Sequence, residues 1–372
     1  MNILITGARA PVAIEWARIA LRSGHCVWLA DSLKWPLGRF LQGIEGYLRL
    51  PSPRQDLAGY QQQLQGYLDQ HDIGLLIPTC EEIFYLSQAF AAYIGPTEWL
   101  IPERRLLFEL HHKYQSLSLL TGLGEVRTPV TRLLTSCSQI ADDPLTILKP
   151  VYSRFGRQVI RTPKPGVLNY RQLNEHIPWV QQQKLDGVAL CNYAVFEHGR
   201  LIVHQAYQPK YCFNQAAGSF FVPYQDRRLD DFVRQFGEKT GFHGQVAFDF
   251  IEQDGVIFVI ECNPRATSGL HLLGAQMSIT ADGQLQYLPA PPKAGHVGVI
   301  VLLFFAWQAW RDKQLATLWQ DFRQAPNLLN DHRWPISAGA QWCALLEMGY
   351  RSLRYRRPLT DASTFDIEWD GY

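Results

Sequence analysis

The sequence predicts a mixed fold, with an α/β domain at the start of the chain and an α+β region built on antiparallel strand pairs after it. Three observations support this prediction. An apolar run at 2–6, a turn at Gly7, a helix-spaced segment and a second apolar run at 26–30 are typical of a βαβ unit. Two later regions, 190–206 and 245–260, each contain two β-branched and aromatic runs around a short polar centre. This is the composition of a β-hairpin.

Length and composition indicate a globular protein with two or three domains. The chain has 372 residues, of which 47% are hydrophobic and 19% charged. The formal net charge is +1 and the basic residues are scattered, so the sequence shows no footprint for nucleic acid. A nucleic acid is therefore not expected as a partner.

The cysteines and the longest apolar run bear on the compartment. The seven cysteines lie far apart and form no CxxC pair, which indicates neither a zinc site nor a disulfide framework. A reducing, cytoplasmic compartment is expected. The uncharged run 294–310 is too short for a membrane span, so we predict no stable membrane insertion. We expect its Trp307 and Trp310 to lie in a buried helix or strand rather than at a bilayer surface.

Polar residues follow the strands of the first domain, where open α/β sheets bind their ligands. Arg9 follows the first strand and is a candidate for holding an anionic substrate, and a third apolar strand ends before Thr79, Glu81 and Glu82. Asp31 ends the second strand, as in nicotinamide-dependent oxidoreductases. The three-glycine fingerprint of those enzymes is absent, so this function is an alternative only.

A buried lysine points to a phosphate site in the next region. Lys149 ends the apolar strand 146–151, and a desolvated ammonium group requires a partner such as a nucleotide phosphate. The loop that follows is expected to cover those phosphates with backbone N–H groups, Ser153, and Arg154 or Arg157.

The second hairpin carries two carboxylates and an amide. Glu261 and Asn263 lie two residues apart on one strand and therefore face the same way. A three-residue loop would place Asp249 directly opposite Glu261, and a two-residue loop would shift the pairing by one residue. In either register these oxygen ligands suit Mg²⁺, and Arg265 supplies a fork for a phosphate or carboxylate.

This arrangement, an acid on one strand and Glu-x-Asn-x-Arg ending the next, resembles the metal-binding end of the ATP-grasp ligases, and most nearly the carbamoyl-phosphate synthetase large chain-like branch. The resemblance covers about residues 1–275. It implies a Rossmann-like pre-ATP-grasp domain followed by a two-lobed ATP-grasp fold with antiparallel sheets, and a C-terminal helical extension completes the prediction. The predicted boundaries are 1–100 for the first domain, 101–185 for lobe A, 186–280 for lobe B with the metal site, and 281–372 for the extension.

The resemblance also implies nucleotide-binding residues. Lys113, in a long predicted helix over 103–120, matches the family's phosphate-binding lysine, although the acid that usually precedes it is replaced by His112. The hinge that reads adenine corresponds to Gln183, Lys184 and Leu185. The acid that commonly binds the ribose hydroxyls has no counterpart in the next strand.

The implied function is ATP-dependent ligation of a carboxylate to an amine or another nucleophile. ATP and one or two Mg²⁺ or Mn²⁺ ions are the implied cofactors. Asp249, Glu261 and Asn263 would bind the metal, Lys113 and Lys149 the nucleotide phosphates, and the catalytic Arg265 and Lys149 would act on the transferring group. The alternatives are a non-catalytic or regulatory ATP-binding protein and, with less support, the oxidoreductase. The sequence leaves a homodimer open.

Overall fold

The computed structural model describes residues 1–154, 156, 158–213, 217–298 and 300–371. The first part of the chain forms a parallel five-stranded sheet, in the order β3-β2-β1-β4-β5, with three helices. The strands are β1 (Asn2–Thr6), β2 (Cys26–Asp31), β3 (Gly46–Arg49), β4 (Ile73–Ile77) and β5 (Glu98–Trp99), and the helices are α1 (Pro11–Arg22), α2 (Leu57–Gln70) and α3 (Ile83–Ala92). The predicted βαβ opening is confirmed.

The helical stretch that follows is broken into two helices, α4 (Arg104–His111) and α5 (Gln115–Leu120). The prediction of one continuous helix was wrong at its centre. The His112 Nδ1 atom accepts hydrogen bonds from the backbone N–H groups of Tyr114 and Gln115, both at 3.2 Å. The His112 backbone leaves the helical conformation, with φ −77° and ψ 109°, which ends the first helix, and Lys113 consequently lies in the break.

Two antiparallel sheets make up the middle of the chain. One has the strand order β6-β8-β7 and the other the order β13-β12-β9-β10-β11-β16, with helix α6 packed on the larger sheet and the small pair β14-β15 beside it. The elements are β6 (Thr131–Leu134), β7 (Thr146–Pro150), β8 (Trp179–Gln183), β9 (Val188–Glu197), β10 (Arg200–Phe213), β11 (Ala217–Tyr224), α6 (Arg227–Thr240), β12 (Gly244–Gln253), β13 (Val256–Asn263), β14 (Met277–Ile279), β15 (Leu285–Tyr287) and β16 (Gly295–His296). Both predicted hairpins, β9–β10 and β12–β13, are present.

The first domain and the larger antiparallel sheet share a core. Gln245, at the start of β12, is buried between them. Its Oε1 atom accepts hydrogen bonds from Trp16 of α1 at 2.7 Å and from the Tyr193 hydroxyl at 2.6 Å, and its Nε2 atom donates to the Pro78 carbonyl at 2.7 Å. Because one buried amide joins three elements, the strand ends of the first domain are held beside the β12–β13 hairpin.

The chain ends in the predicted helical extension: α7 (Ile300–Arg311), α8 (Leu315–Gln324), α9 (Ala338–Tyr355) and α10 (Leu359–Ala362). Trp307 and Trp310 lie on α7 and are 71% and 59% exposed, so the expectation that they are buried was wrong. Among the described residues, no helix is both long enough and apolar enough to cross a bilayer. Residues 363–371, which we call the C-terminal segment, return to the first domain.

Candidate functional site

The β12–β13 hairpin brings the two predicted carboxylates face to face. It turns through Asp254 and Gly255, whose φ angles of 51° and 77° suit a two-residue type I′ turn. That turn alone would place Asp249 opposite Ile260. Ile260 is instead an extra residue in the strand, a β-bulge, and Asp249 pairs with Glu261. The three-residue loop considered from the sequence is therefore replaced by a shorter turn and a bulge that restores the register.

Asp249 is held by two neighbouring side chains. Asn263 Nδ2 donates to its Oδ2 atom at 3.2 Å, and Cys191 Sγ donates to its Oδ1 atom at 3.1 Å. Burial, and then the nearby charge of Glu261, raise the pKa of Asp249 to about 6. The hairpin thus concentrates negative charge at one place, which favours a bound cation.

Two buried lysines contact β13, the strand that carries Glu261. One lysine comes from the break between α4 and α5, and the other comes from the smaller sheet. Lys113 Nζ lies 3.0 Å from Glu261 Oε1 and donates to the Ser153 carbonyl at 2.9 Å. Lys149, on β7, donates through Nζ to the carbonyl of the bulged Ile260 at 3.1 Å. Burial lowers the pKa of Lys149 to about 8, against the opposing effect of Glu261. The structure therefore brings Lys113, Lys149 and the carboxylate pair together.

The donor set fits a hard divalent cation. Two carboxylates and a carboxamide, from Asp249, Glu261 and Asn263, lie on adjacent strands, and oxygen ligands of this kind suit Mg²⁺ or Mn²⁺. Burial and the charge of Glu261 raise the pKa of Asp249, and a cation between the two carboxylates would offset their mutual repulsion. The positive charge now facing Glu261 comes from Lys113.

The predicted phosphate loop is only partly described. Arg157 lies outside the described residues, and Ser153 Oγ donates to the Pro150 carbonyl at 3.4 Å. The Arg154 side chain points to the first domain, where its Nε atom donates to both carboxylate oxygens of Glu81 at 2.7 Å. The Arg154 guanidinium holds the pKa of Glu81 at about 2, although burial alone would raise it.

Arg265 lies between the hairpin and the first domain. Its guanidinium is 3.8 Å from Glu81 Oε1, and NH1 donates to the Ala266 carbonyl at 3.3 Å. The side chain is 26% exposed. Its contacts are loose compared with those of Arg154, and a partly exposed guanidinium of this kind is able to bind an added anion.

The three predicted adenine-hinge residues lie at the end of β8 and directly after it, where the chain leaves the smaller sheet for β9 of the larger one. The backbone N–H groups of Gln183 and Lys184 donate to the carbonyls of Val130 and Leu145, at 2.8 and 2.7 Å. An adenine ring at this hinge would therefore use the N–H group of Leu185 or backbone carbonyls. Lys184 Nζ forms an ion pair with Asp186 at 3.2 Å, so its charge is partly neutralised.

The polar residues at the strand ends of the first domain are already engaged. Arg9 and Asp31 form a buried ion pair at 2.5 Å. Glu82 Oε1 accepts hydrogen bonds from Thr6 Oγ1 at 2.7 Å and from the backbone N–H of Thr79 at 3.1 Å. Because Asp31 already pairs with Arg9, the structure does not favour a role for Asp31 in binding the ribose of a dinucleotide.

Sequence reasoning missed the acids of the C-terminal segment. Asp366 is buried and accepts a hydrogen bond from Arg9 at 2.7 Å, and Asp370 lies 2.7 Å from Arg154. The available signal was the strict alternation of apolar and acidic residues over 365–370, which places Asp366, Glu368 and Asp370 at every second position. Arg351, which lies 2.8 Å from Asp366, is near in sequence, but Arg9 and Arg154 are more than 200 residues away from the acids that they bind.

No protein-family model matches the sequence, and no curated protein matches it. Solved structures do. An N5-carboxyaminoimidazole synthetase from Staphylococcus aureus has a TM-score of 0.58 at 13% identity, with 83% of this chain and 86% of that chain covered. A biotin carboxylase from Campylobacter jejuni, in a complex described as β-γ-ATP, has a TM-score of 0.57 at 13% identity, with 78% of this chain and 72% of that chain covered. An L-amino acid ligase from Bacillus licheniformis has a TM-score of 0.52 at 15% identity over 74% and 70%.

Proposed function

We propose that this chain, which has the ATP-grasp fold of those enzymes, is an ATP-dependent ligase that joins a carboxylate to an amine or another nucleophile and releases ADP and phosphate. The observation that carries the proposal is the convergence of two buried lysines, Lys113 and Lys149, on a strand pair where Asp249 faces Glu261. The similar structures include an L-amino acid ligase, which supports a ligase in general terms. The carbamoyl-phosphate synthetase-like branch stays a prediction.

In the proposed reaction an oxygen of the substrate carboxylate attacks the γ-phosphorus of ATP. The bond between that phosphorus and the β–γ bridging oxygen breaks, giving an acyl phosphate and ADP. The nucleophile then attacks the acyl carbon, and phosphate leaves. Because the phosphoryl oxygens carry spread negative charge throughout, the protein has mainly to position the reactants and present cationic groups.

The lysines are assigned to the nucleotide phosphates. Lys149 is held at the bulged Ile260 carbonyl, and Lys113 is held at the Ser153 carbonyl, so both ammonium groups are fixed before nucleotide binds. Fixed donors require little reorganisation when charge develops nearby. We assign Arg265 to the transferring phosphoryl group or the acyl phosphate, since its guanidinium lies between the hairpin and the first domain.

Asp249, Glu261 and Asn263 would hold one or two Mg²⁺ or Mn²⁺ ions, which when bound supply positive charge for the β- and γ-phosphates. Gln183, Lys184 and Leu185 are assigned to adenine, and Ser153 and Arg154 to the phosphate loop. For Arg154 this assignment requires its guanidinium to accept an anion in addition to Glu81. Small carboxylates and amines are the proposed substrates, and a homodimer remains compatible with the proposal.

A nucleotide-binding protein without turnover is the second candidate. Two observations favour it: Lys113 already neutralises Glu261, and the N–H groups of Gln183 and Lys184 already donate to Val130 and Leu145. Both arrangements reduce the number of groups free to bind MgATP. The two candidates differ in whether ADP is formed.

The deciding experiment measures nucleotide products by chromatography. The purified protein is incubated with MgATP and a pool of amino acids and small carboxylic acids, beside Glu261→Gln and a control, Glu252→Gln. Glu252 lies on the same hairpin but pairs with Arg228 at 3.0 Å. We expect ADP and phosphate that depend on the pool and on Mg²⁺, a loss of at least a hundredfold in Glu261→Gln and none in the control. Formation of AMP, or full activity of Glu261→Gln, would contradict the proposal.

A further inference from the structure

The C-terminal segment crosses the carboxyl ends of the parallel strands, the edge at which open α/β sheets bind ligands. Its first half is anchored there. The Arg9 guanidinium donates to the Ser363 carbonyl and to Asp366, both at 2.7 Å, and the Ser32 hydroxyl donates to Asp366 at 2.5 Å. Asp366 is 2% exposed, so this half belongs to the core of the first domain.

The end of the segment is bound by arginines from two different parts of the molecule. Arg154 donates to Asp370 Oδ1 at 2.7 Å and to the Trp369 carbonyl at 2.6 Å, while Arg54 donates to Asp370 Oδ2 at 2.6 Å. Each oxygen of one carboxylate therefore meets one guanidinium, which is how arginine pairs bind carboxylates and phosphates. The Asp370 side chain is 34% exposed, in contrast to the buried Asp366.

This arginine pair lies beside the candidate active site. Arg154 directly follows Ser153, whose carbonyl accepts the hydrogen bond from Lys113, and Lys113 pairs with Glu261. Glu81 holds Arg154 through its Nε atom, so the guanidinium would keep its orientation after Asp370 leaves. The pair is thus preorganised to bind an oxyanion, and in this conformation the chain's own carboxylate occupies it.

We propose that Arg154 and Arg54 form an oxyanion site, and that the C-terminal segment is its intramolecular ligand, displaced through Asp370 when a carboxylate or phosphate oxyanion binds. Residues 363–369 remain anchored, because the Tyr85 hydroxyl donates to the Glu368 carbonyl at 2.7 Å and the Trp369 backbone N–H donates to Glu81 at 3.3 Å, and residues 370–371 exchange. Competition with the substrates of a ligase rests on the proposed function, whereas occupation of the arginines by Asp370 does not. The consequence is a site that the chain itself keeps closed until a ligand of sufficient affinity enters.

The test uses Asp370→Asn and a control, Glu238→Gln, which removes one carboxylate from an exposed ion pair on α6. Thermal stability is titrated with sodium malonate and separately with MgADP, each at constant ionic strength. We expect the half-saturating concentration of one of these probes to fall about three- to tenfold in Asp370→Asn only, as removing a partly exposed competing ion pair allows. A lower half-saturating concentration of malonate identifies a carboxylate site, and a lower half-saturating concentration of MgADP identifies a phosphate site. Equal titrations of the wild type and both variants would overturn the proposal.

A second measurement avoids any effect of the substitution on stability. The wild-type protein is labelled with 5-fluorotryptophan, and the ¹⁹F resonance of Trp369 is assigned from Trp369→Phe. Its ring packs edge-on against Tyr85 and Phe108, with centroids 5.5 and 5.0 Å away, so release of the segment end changes its environment. We expect malonate or MgADP to shift this resonance, and an unchanged resonance at saturation of both would refute displacement.

The two proposals fail in different ways. If no ADP is formed under any condition, the ligase function is rejected while the malonate titration and the Trp369 resonance still decide whether Asp370 occupies an oxyanion site. If ADP is formed and Asp370→Asn leaves the half-saturating concentrations of all substrates unchanged, competition with substrate is rejected and the ligase function stands.

Discussion

Replacing Asp366 by Asn tests how strongly the C-terminal segment is anchored. The Asp366 carboxylate accepts hydrogen bonds from Arg9 NH1 and NH2 at 2.7 and 3.0 Å and from the Ser32 hydroxyl at 2.5 Å. Asparagine keeps the shape and one acceptor oxygen but removes the charge. Arg9 would retain Asp31 as its partner, and Arg351, whose NH2 atom lies 2.8 Å from Asp366, would retain the Ala362 carbonyl, so the variant weakens this network without leaving either guanidinium unpaired.

The magnitude follows from the pKa of the carboxyl. Burial alone would raise the pKa of Asp366, but the charge of Arg9 outweighs it and lowers the pKa from 3.8 to about 2. A difference of this size corresponds to about 2 kcal/mol of unfolding free energy. Removing one member of a buried ion pair costs about 3–5 kcal/mol, and the remaining amide oxygen places Asn at the lower end. We expect a loss of about 2–3 kcal/mol, which lowers Tm by roughly 3–4 °C in a chain of 372 residues.

Differential scanning fluorimetry from pH 7 downward measures both the size of this effect and its pH dependence. Because the pKa of Asp366 is lower in the folded state, its stabilisation is complete above about pH 4 and is lost as the pH falls towards 2. The gap between wild type and variant should therefore be largest at neutral pH and shrink below pH 4. Asp312→Asn, which loses an exposed pair with Arg311 at 3.4 Å, is the control and should change Tm little. A Tm within 1 °C of the wild type at pH 7, or a loss that is the same at pH 2.5, would refute the reasoning.

Two further substitutions address the candidate active site. Lys149→Met should raise the MgATP concentration required for half-maximal ADP formation about tenfold, because it removes a positive charge fixed beside the hairpin. The control Lys293→Met, on an exposed loop, should leave that concentration unchanged. If Lys149→Met also leaves it unchanged, Lys149 does not belong to the site. Asp249→Asn should raise the Tm of the metal-free protein, because it relieves the repulsion from Glu261 by about 1 kcal/mol. The same variant should abolish the additional stabilisation that Mg²⁺ gives to the ADP-bound protein. Asp254→Asn, in the turn of the same hairpin, is its control, and a Mg²⁺-dependent shift that survives in Asp249→Asn would argue against this metal ligand.

The local patterns of the sequence predicted most of the fold. The βαβ opening and both hairpins follow from periodicity and turn residues within short windows, and these are physical constraints on each segment alone. The juxtaposition of Asp249 and Glu261 could also be predicted, because the spacing of the two residues around Gly255 limits the register of the hairpin to two choices.

What could not be predicted depends on geometry that the sequence does not display. The bulge at Ile260 could not be recognised from the residue type, since isoleucine is equally common in regular strands. The break between α4 and α5 lies where the His112 backbone becomes extended and its ring accepts hydrogen bonds from two backbone N–H groups, an arrangement that no residue pattern displays. The role of Asp370 depends on Arg54 and Arg154, which are brought together only by tertiary folding.

The bulge at Ile260 also couples the length of the hairpin to the attachment of the smaller sheet. The interval of twelve residues between Asp249 and Glu261 contains one residue more than the two-residue turn requires, and that residue exposes the carbonyl that Lys149 binds. An insertion in the turn matched by a deletion of Ile260 would conserve the motif spacing and the facing carboxylates. Without the bulge, the backbone hydrogen bonds between β12 and β13 would continue without interruption at this point, and Lys149 would lose the carbonyl that it binds. In related sequences with such a compensated pair of indels, a lysine that binds the nucleotide phosphates should therefore be held by a different acceptor, even though the acidic motif reads the same.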